Sequence, residues 1–235
     1  MKPPELDHVA VAAHAIADAE DLVLALGGRS DEGGPSPGFR WWQWVFAGGG
    51  RLEVLEPDGP PDGFLRRFLA RSGPGIHHVT FTVPDLDAAC ARAESLGQRV
   101  VGYDARHSGW REAFLHPSSA QGIVVQLAQS ESSGPSAAPD PAHAATLVGV
   151  RMVARDAARS RALWTGVLEG ACEEVAGELH FGWPSSPLRI AVRIDPVGTD
   201  RSDAIEIAGA PASVLPPGPH PKLGARFVRV GPAHA

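Results

Sequence analysis

Cysteine is nearly absent from this chain of 235 residues: Cys90 and Cys172 are the only two, one in each half. A disulfide framework is therefore not expected, and neither thiol has a partner at metal-ligand spacing. Long apolar runs are missing too, since none reaches the roughly 18–20 residues that a membrane span needs. There is no excess of basic charge, because 21 Lys and Arg face 27 Asp and Glu for a formal net charge of −6, with no dense cationic run. That balance argues against a nucleic-acid partner and leaves any anionic ligand dependent on local basic residues. Met1-Lys2-Pro3-Pro4 passes straight into a strand pattern without a charged-then-apolar signal segment. The expectation is a cytoplasmic protein with no membrane and no nucleic acid among its partners.

What the chain does contain is a motif written twice. Leu6-Asp7-His8-Val9-Ala10-Val11-Ala12 recurs as Ile76-His77-His78-Val79-Thr80-Phe81-Thr82. Each copy continues through a helical pattern and ends in an apolar strand with one polar side chain, Glu53 or Gln126. The interval is 45 residues from His8 to Glu53 and 48 from His78 to Gln126. Such a repeat organises everything else in the sequence.

The first block reads β-α-β-β-β. A strand over 5–12 precedes Ile16, Ala19, Leu22, Val23 and Leu26 at helical spacing, stopped by Gly27-Gly28. An aromatic strand from Phe39 to Phe46, a glycine turn at 48–50 and a strand over 51–56 complete it. The second block repeats the order, with a strand over 76–83, a helix stopped by Gly97, and strands near 99–105, 110–116 and 122–128. Composition marks 131–145 as a flexible linker. Beyond it a third, degenerate copy is predicted over 146–235, with strands near 147–154, 172–182, 188–194 and 203–208 and an extra strand at 225–230. The fold class expected is α+β, with paired βαβββ modules over 1–130 forming a curved mixed-sheet cup.

Strand parity gives the two histidines a purpose. His8 shares a face with Ala10 and Ala12, and His78 with Thr80, while Val9, Val11, Val79 and Phe81 point to the helix-packed side. Glu53 and Gln126 each lie between apolar neighbours that point the other way. A carboxylate or carboxamide in such a strand costs several kcal/mol unless it is paired or ligated. An imidazole and an oxygen donor, occurring twice at matched intervals, point to ligation rather than to structure. If the sheets curve into a cup, His8, Glu53, His78 and Gln126 converge on one divalent ion of the Co, Ni, Mn, Zn or Fe type. Open coordination positions would then receive a small-molecule substrate. His77 has the opposite parity and reads as structural. In Trp41-Trp42-Gln43-Trp44, alternation sets Trp42 and Trp44 on one face and Trp41 on the other. Trp42 and Trp44 are candidate substrate-binding residues, as is His107 beside a turn.

These residues resemble the vicinal oxygen chelate superfamily, which includes glyoxalases, extradiol dioxygenases and bleomycin-resistance proteins. Residues 1–130 look most like its methylmalonyl-CoA epimerase family. The resemblance rests on Leu6–Val11, Arg51–Pro57, Phe68–Val83 and Phe114–Leu127. It implies a paired βαβββ cup with a divalent metal, and His8, Glu53 and His78 match family ligand positions. Gln126 stands where the family has a Glu. An amide oxygen can coordinate but cannot accept a proton. The acidic residue expected before the third strand is also missing, since that region reads Ser36-Pro37-Gly38-Phe39, and Ser118 replaces a common lysine after Pro117. Glu112, and more remotely Glu32, are substitutes for the base, and Glu53 is the other catalytic candidate. The function expected is an isomerase, epimerase or lyase acting through a metal-stabilised enolate on a small carbonyl or acyl-thioester compound. The alternatives are a ferrous extradiol-type dioxygenase and a non-catalytic ligand-sequestering protein. Because the third module has no complete partner block, it is expected to make a homodimer with its own copy or to cover a sheet edge.

Overall fold

A computed structural model describes residues 2–107, 109–130, 137–211 and 213–231. The first module runs from β1 (Glu5–Ala12) through a 3-10 turn (Ile16–Ala19) into a short helix α1 (Glu20–Ala25), then β2 (Arg29–Ser36), β3 (Phe39–Val45) and β4 (Arg51–Pro57). A helix not anticipated from the sequence, α2 (Phe64–Ser72), leads into the second module. That module comprises β5 (Gly75–Thr82), α3 (Leu86–Ser95), β6 (Val100–His107), β7 (Trp110–Leu115) and β8 (Val124–Ser130). The third comprises β9 (Thr146–Ala154), α4 (Ala157–Arg161) running on as a π-helical turn (Ala162–Val167), β10 (Ala171–Val175), β11 (Glu178–Gly182) and β12 (Arg189–Ile194). β13 (Arg201–Ala208) and β14 (Phe227–Val230) follow. Among the described residues no helix is long and apolar enough to cross a membrane.

The fold is α+β, built of paired βαβββ modules on curled mixed sheets. Eight strands are ordered β2-β3-β4-β1-β5-β8-β7-β6, and six are ordered β10-β11-β12-β9-β13-β14. Two details depart from the sequence expectation. The strand expected over 172–182 is a hairpin, because Ala176 and Gly177 take positive φ of 51° and 82°, the two-residue turn whose twist matches its flanking strands. The strand near 203–208 does not close the third module. β13 stands beside β9 as β5 stands beside β1, and β14 runs parallel to β13 as β8 does to β5. The third βαβββ block ends at β12, and β13 with β14 begins a fourth.

The chain divides into two compact units, each assembled from three segments. One comprises Met1–Asp7, His78–Gly134 and Val150–Asp203; the other comprises His8–His77, Pro135–Gly149 and Ala204–Ala235. In the first unit α3 begins at Asp85, whose carboxylate accepts the Ala88 N–H at 3.0 Å, and it stops at Gly97. Val79 and Phe81 are fully buried, as their parity predicts. The Phe81 ring meets Trp183 edge-on at 4.8 Å and Trp164 at 6.3 Å. A polar clasp joins the same region, in which buried Gln121 donates to Ser160 Oγ at 2.8 Å and accepts from Trp164 Nε1 at 3.0 Å. Third-module side chains thus pack against the second module within this unit.

In the other unit, Ala12, Leu55, Leu65 and Leu69 form a buried cluster, with Phe39, Trp41 and Phe68 packed on it. Leu65 and Leu69 are the inward face of α2, and Arg66, Arg67 and Arg71 point to solvent. β2 is rich in Gly and Pro, as an edge strand tolerates. A Cβ on Gly33 would lie 2.3 Å from the Trp42 ring, so glycine is what lets that ring lie flat across the strand. Of the predicted linker, 131–136 lie outside the described residues. Its last residue is tied down: Ala145 N–H donates to Leu26 C=O at 2.8 Å, and Ala145 C=O accepts from Ala47 N–H at 3.1 Å.

Candidate metal centre

β1 and β4 run parallel with Ala10 opposite Glu53 and His8 opposite Arg51. β3 runs antiparallel to β4 and sets Gln43 opposite Glu53. His8, Glu53 and Gln43 therefore share one face, and all three are buried. Glu53 Oε2 lies 3.6 Å from His8 Nε2 and accepts from Gln43 Nε2 at 3.0 Å. The same amide nitrogen lies 3.4 Å from His8 Nδ1.

β5 and β8 repeat the pattern, with Thr80 opposite Gln126 and His78 opposite Val124. Gln126 is buried, and its Oε1 accepts from the Thr80 hydroxyl at 2.6 Å while its Nε2 donates to Glu112 Oε2 at 2.7 Å. Glu112 Oε2 also accepts from Trp110 Nε1 at 3.0 Å.

His8, Glu53 and His78, 4 %, 7 % and 6 % exposed, each offer a donor atom, and these atoms all lie within 4.8 Å of one another. Two ligands on one ion at roughly 2.0–2.2 Å stand about 3–4 Å apart; the donor set fits a divalent cation in type, and the 3.6 Å between His8 Nε2 and Glu53 Oε2 fits it in spacing. Burial of three such groups side by side is costly without a charge to balance the carboxylate.

The remaining candidates fall elsewhere. Alternation puts Trp42 and Trp44 on the face of β3 away from Gln43 and Glu53, and Trp41 on theirs. Trp42 donates to Ser30 Oγ at 2.9 Å, and Trp44 is buried. His107 is exposed on β6, the outermost strand, where it lines a shallow cavity of about 110 Å³ with Trp110, Arg111 and Gln129. His77 packs against Phe68 at 4.8 Å and Phe64 at 5.9 Å. Burial pushes its pKa down to about 4, against an opposing pull from Glu53, so the ring is neutral at neutral pH. Glu206 is fully buried and lies on β13, in the place β5 takes in the larger sheet.

Gln43 is the polar residue that sequence reasoning missed. A hairpin centred on Gly48 pairs 43 with 53, and that symmetry was available from the glycine turn alone.

A profile of the Glyoxalase/Bleomycin resistance protein/Dioxygenase superfamily matches residues 7–114. The mitochondrial methylmalonyl-CoA epimerase of Bos taurus is 31% identical over 132 residues, covering 53% of this chain and 74% of that protein. The chain belongs to the glyoxalase/bleomycin resistance/dioxygenase superfamily. An ethylmalonyl-CoA/methylmalonyl-CoA epimerase of Cereibacter sphaeroides is 36% identical over 85 residues, covering 34% of this chain and 61% of that one. These superfamily relatives match the amino-terminal half. A hypothetical protein of Staphylococcus aureus shares the fold over 97% of this chain and 99% of its own, with a TM-score of 0.65 at 12% identity. The fold shared with that protein therefore extends beyond the half that the epimerases match.

Proposed function

We propose that the protein is a metal-dependent isomerase, epimerase or lyase acting on a small carbonyl or acyl-thioester compound, with residues 1–130 as its metal-binding domain. The observation that carries this reading is the buried grouping of His8, Glu53 and His78 within 4.8 Å. Gln126, on the face of His78, would add an amide oxygen. A divalent ion in such a site supplies Lewis acidity, which stabilises negative charge developing on a carbonyl oxygen when a neighbouring C–H is lost. The protein's own part is to bury and hold four donors and to exclude bulk water from them. With Glu53 among those donors, proton abstraction by a carboxylate falls to Glu112 through Oε1, the oxygen that Gln126 and Trp110 do not engage. The epimerase relatives make a malonyl-type acyl-CoA the first substrate to test. On this reading Trp41, rather than Trp42 or Trp44, is the aromatic neighbour of the donors.

Metal analysis of the purified protein, together with deuterium exchange on a panel of acyl-CoA thioesters, tests the reading. About one equivalent of Co, Ni, Mn, Zn or Fe and label at the acidic carbon are expected, with both lost in His8→Ala. Protein that neither retains nor takes up metal, and whose ligand binding survives His8→Ala, would instead be a sequestering protein. One observation favours a second reading: two imidazoles and one carboxylate are the ligand set of ferrous oxygenases. Tightly held iron with oxygen uptake on a catechol substrate would select it.

A further inference from the structure

On each donor-bearing module the polar group of the last strand is paired with a complementary one on the strand beside it, and the chemical types are exchanged. On the first, the carboxylate of Glu53 receives an amide N–H from Gln43 at 3.0 Å. On the second, the amide of Gln126 gives its N–H to the carboxylate of Glu112 at 2.7 Å. Glu112 is half-buried and stands diagonally across from Gln126 on the same face, since β7 and β8 pair Glu112 with Ala128 and Phe114 with Gln126.

An ionised carboxylate only accepts hydrogen bonds, so Glu112 fixes which end of the Gln126 amide faces it. The nitrogen must turn to Glu112 and the oxygen to Thr80, on the strand of His78. An anion on the nitrogen end also draws the amide toward its charge-separated form and leaves more negative charge on Oε1. The Thr80 hydroxyl, 2.6 Å away, occupies one of the two lone pairs of that oxygen and leaves the other for a cation. The second Glu112 donor, Trp110 Nε1 at 3.0 Å, holds the carboxylate in place.

We propose that Glu112 is a positioning residue that makes Gln126 an effective metal donor, by orienting its oxygen and by increasing the negative charge on it. The proposal rests on the reading that a divalent ion binds beside His8, Glu53 and His78.

Titration of the metal-stripped full chain with cobalt(II) chloride, followed by calorimetry and by the visible spectrum of the bound ion, tests it without reference to turnover. Glu112→Gln keeps an acceptor for the Gln126 N–H but removes the charge, and it should weaken cobalt binding about tenfold with an altered spectrum. Glu112→Ala, which also removes the orientation, should weaken it further. The exchange variant Glu112→Gln/Gln126→Glu restores one carboxylate and one amide and should return affinity to within about threefold of wild type. Thermal melting of the apo forms separates these effects from misfolding, and Glu112→Gln is expected to melt as wild type does. Wild-type affinity and spectrum in both single variants, or an exchange variant no better than Glu112→Gln, would overturn the positioning role alone. Failure of the wild-type chain to bind cobalt would overturn the metal reading and this proposal with it.

Discussion

On the first module Glu53 stands opposite Ala10, two residues beyond His8, and directly across from Gln43. On the second Gln126 stands opposite Thr80, two residues beyond His78, but across from Phe114, and its polar partner Glu112 is one pair further along. The spacing of imidazole to oxygen donor is the same in both, because it is set by a parallel pairing register that cannot slip without turning every side chain to the wrong face. The supporting partner is not so constrained. A cross-strand neighbour can be direct or diagonal and still reach, so amide and carboxylate have changed places between the modules. Backbone register carries the donor geometry, and side-chain chemistry on the flanking strand adjusts it.

The comparison can be tested most severely in the second module's core. Phe81→Ala should cost about 3–5 kcal/mol, because that ring is fully buried between Trp183 and Trp164; chemical denaturation measures it, and a loss under about 1 kcal/mol would show that third-module residues do not pack there. Next come the paired imidazoles. His8→Ala and His78→Ala should each weaken cobalt binding at least about 100-fold, or about 2.7 kcal/mol, and a difference of more than tenfold between them would break the equivalence of the modules. Gln43→Leu leaves the buried Glu53 oxygen without its amide donor and should lower apo stability by about 1–3 kcal/mol. Unchanged denaturation midpoints would mean that the amide is dispensable.

The smallest effect concerns His77, whose counterpart in the first copy of the motif is Asp7. Its folded pKa of about 4 lies below the ordinary 6.5, so the unfolded chain takes up the proton first. The resulting loss of stability is absent above pH 6.5 and grows as pH falls toward 4, reaching about 1 kcal/mol at pH 6. His77→Phe, which keeps an aromatic ring against Phe68, should flatten that part of the stability-versus-pH curve. A slope unchanged from wild type would assign it to other groups.

Much of this was legible in the sequence because period-two alternation is a local signal. His8 and His78 announced their face through Ala10, Ala12 and Thr80, and Val79 and Phe81 announced theirs. What stayed hidden depended on pairing. Gln43 goes unread inside an aromatic run, although the glycine turn at 48–50 already implies its place across from Glu53. Trp42 and Trp44 read as the substrate-binding pair for the same reason, since only the pairing with β4 puts Trp41 on the face of Glu53. The helix over Phe64–Ser72 escaped because Leu65 and Leu69, set among arginines, give only two clear core positions in a short stretch. The hairpin at Ala176-Gly177 escaped because alanine at positive φ is uncommon, and β13 was misplaced because strand order in a sheet leaves no trace in local periodicity.

The two three-segment units have a bearing on how the chain reaches its native state. Residues 8–77 share their unit with 204–235, and 78–134 share theirs with 150–203. Neither half of the motif-bearing region can finish burying its apolar surface on the ribosome before much of the remaining polypeptide has emerged. Partners so distant in sequence must close long loops before contacts repay the entropy. Slow, late maturation follows from that arrangement, with exposed strand edges in the interim that invite aggregation or chaperone capture.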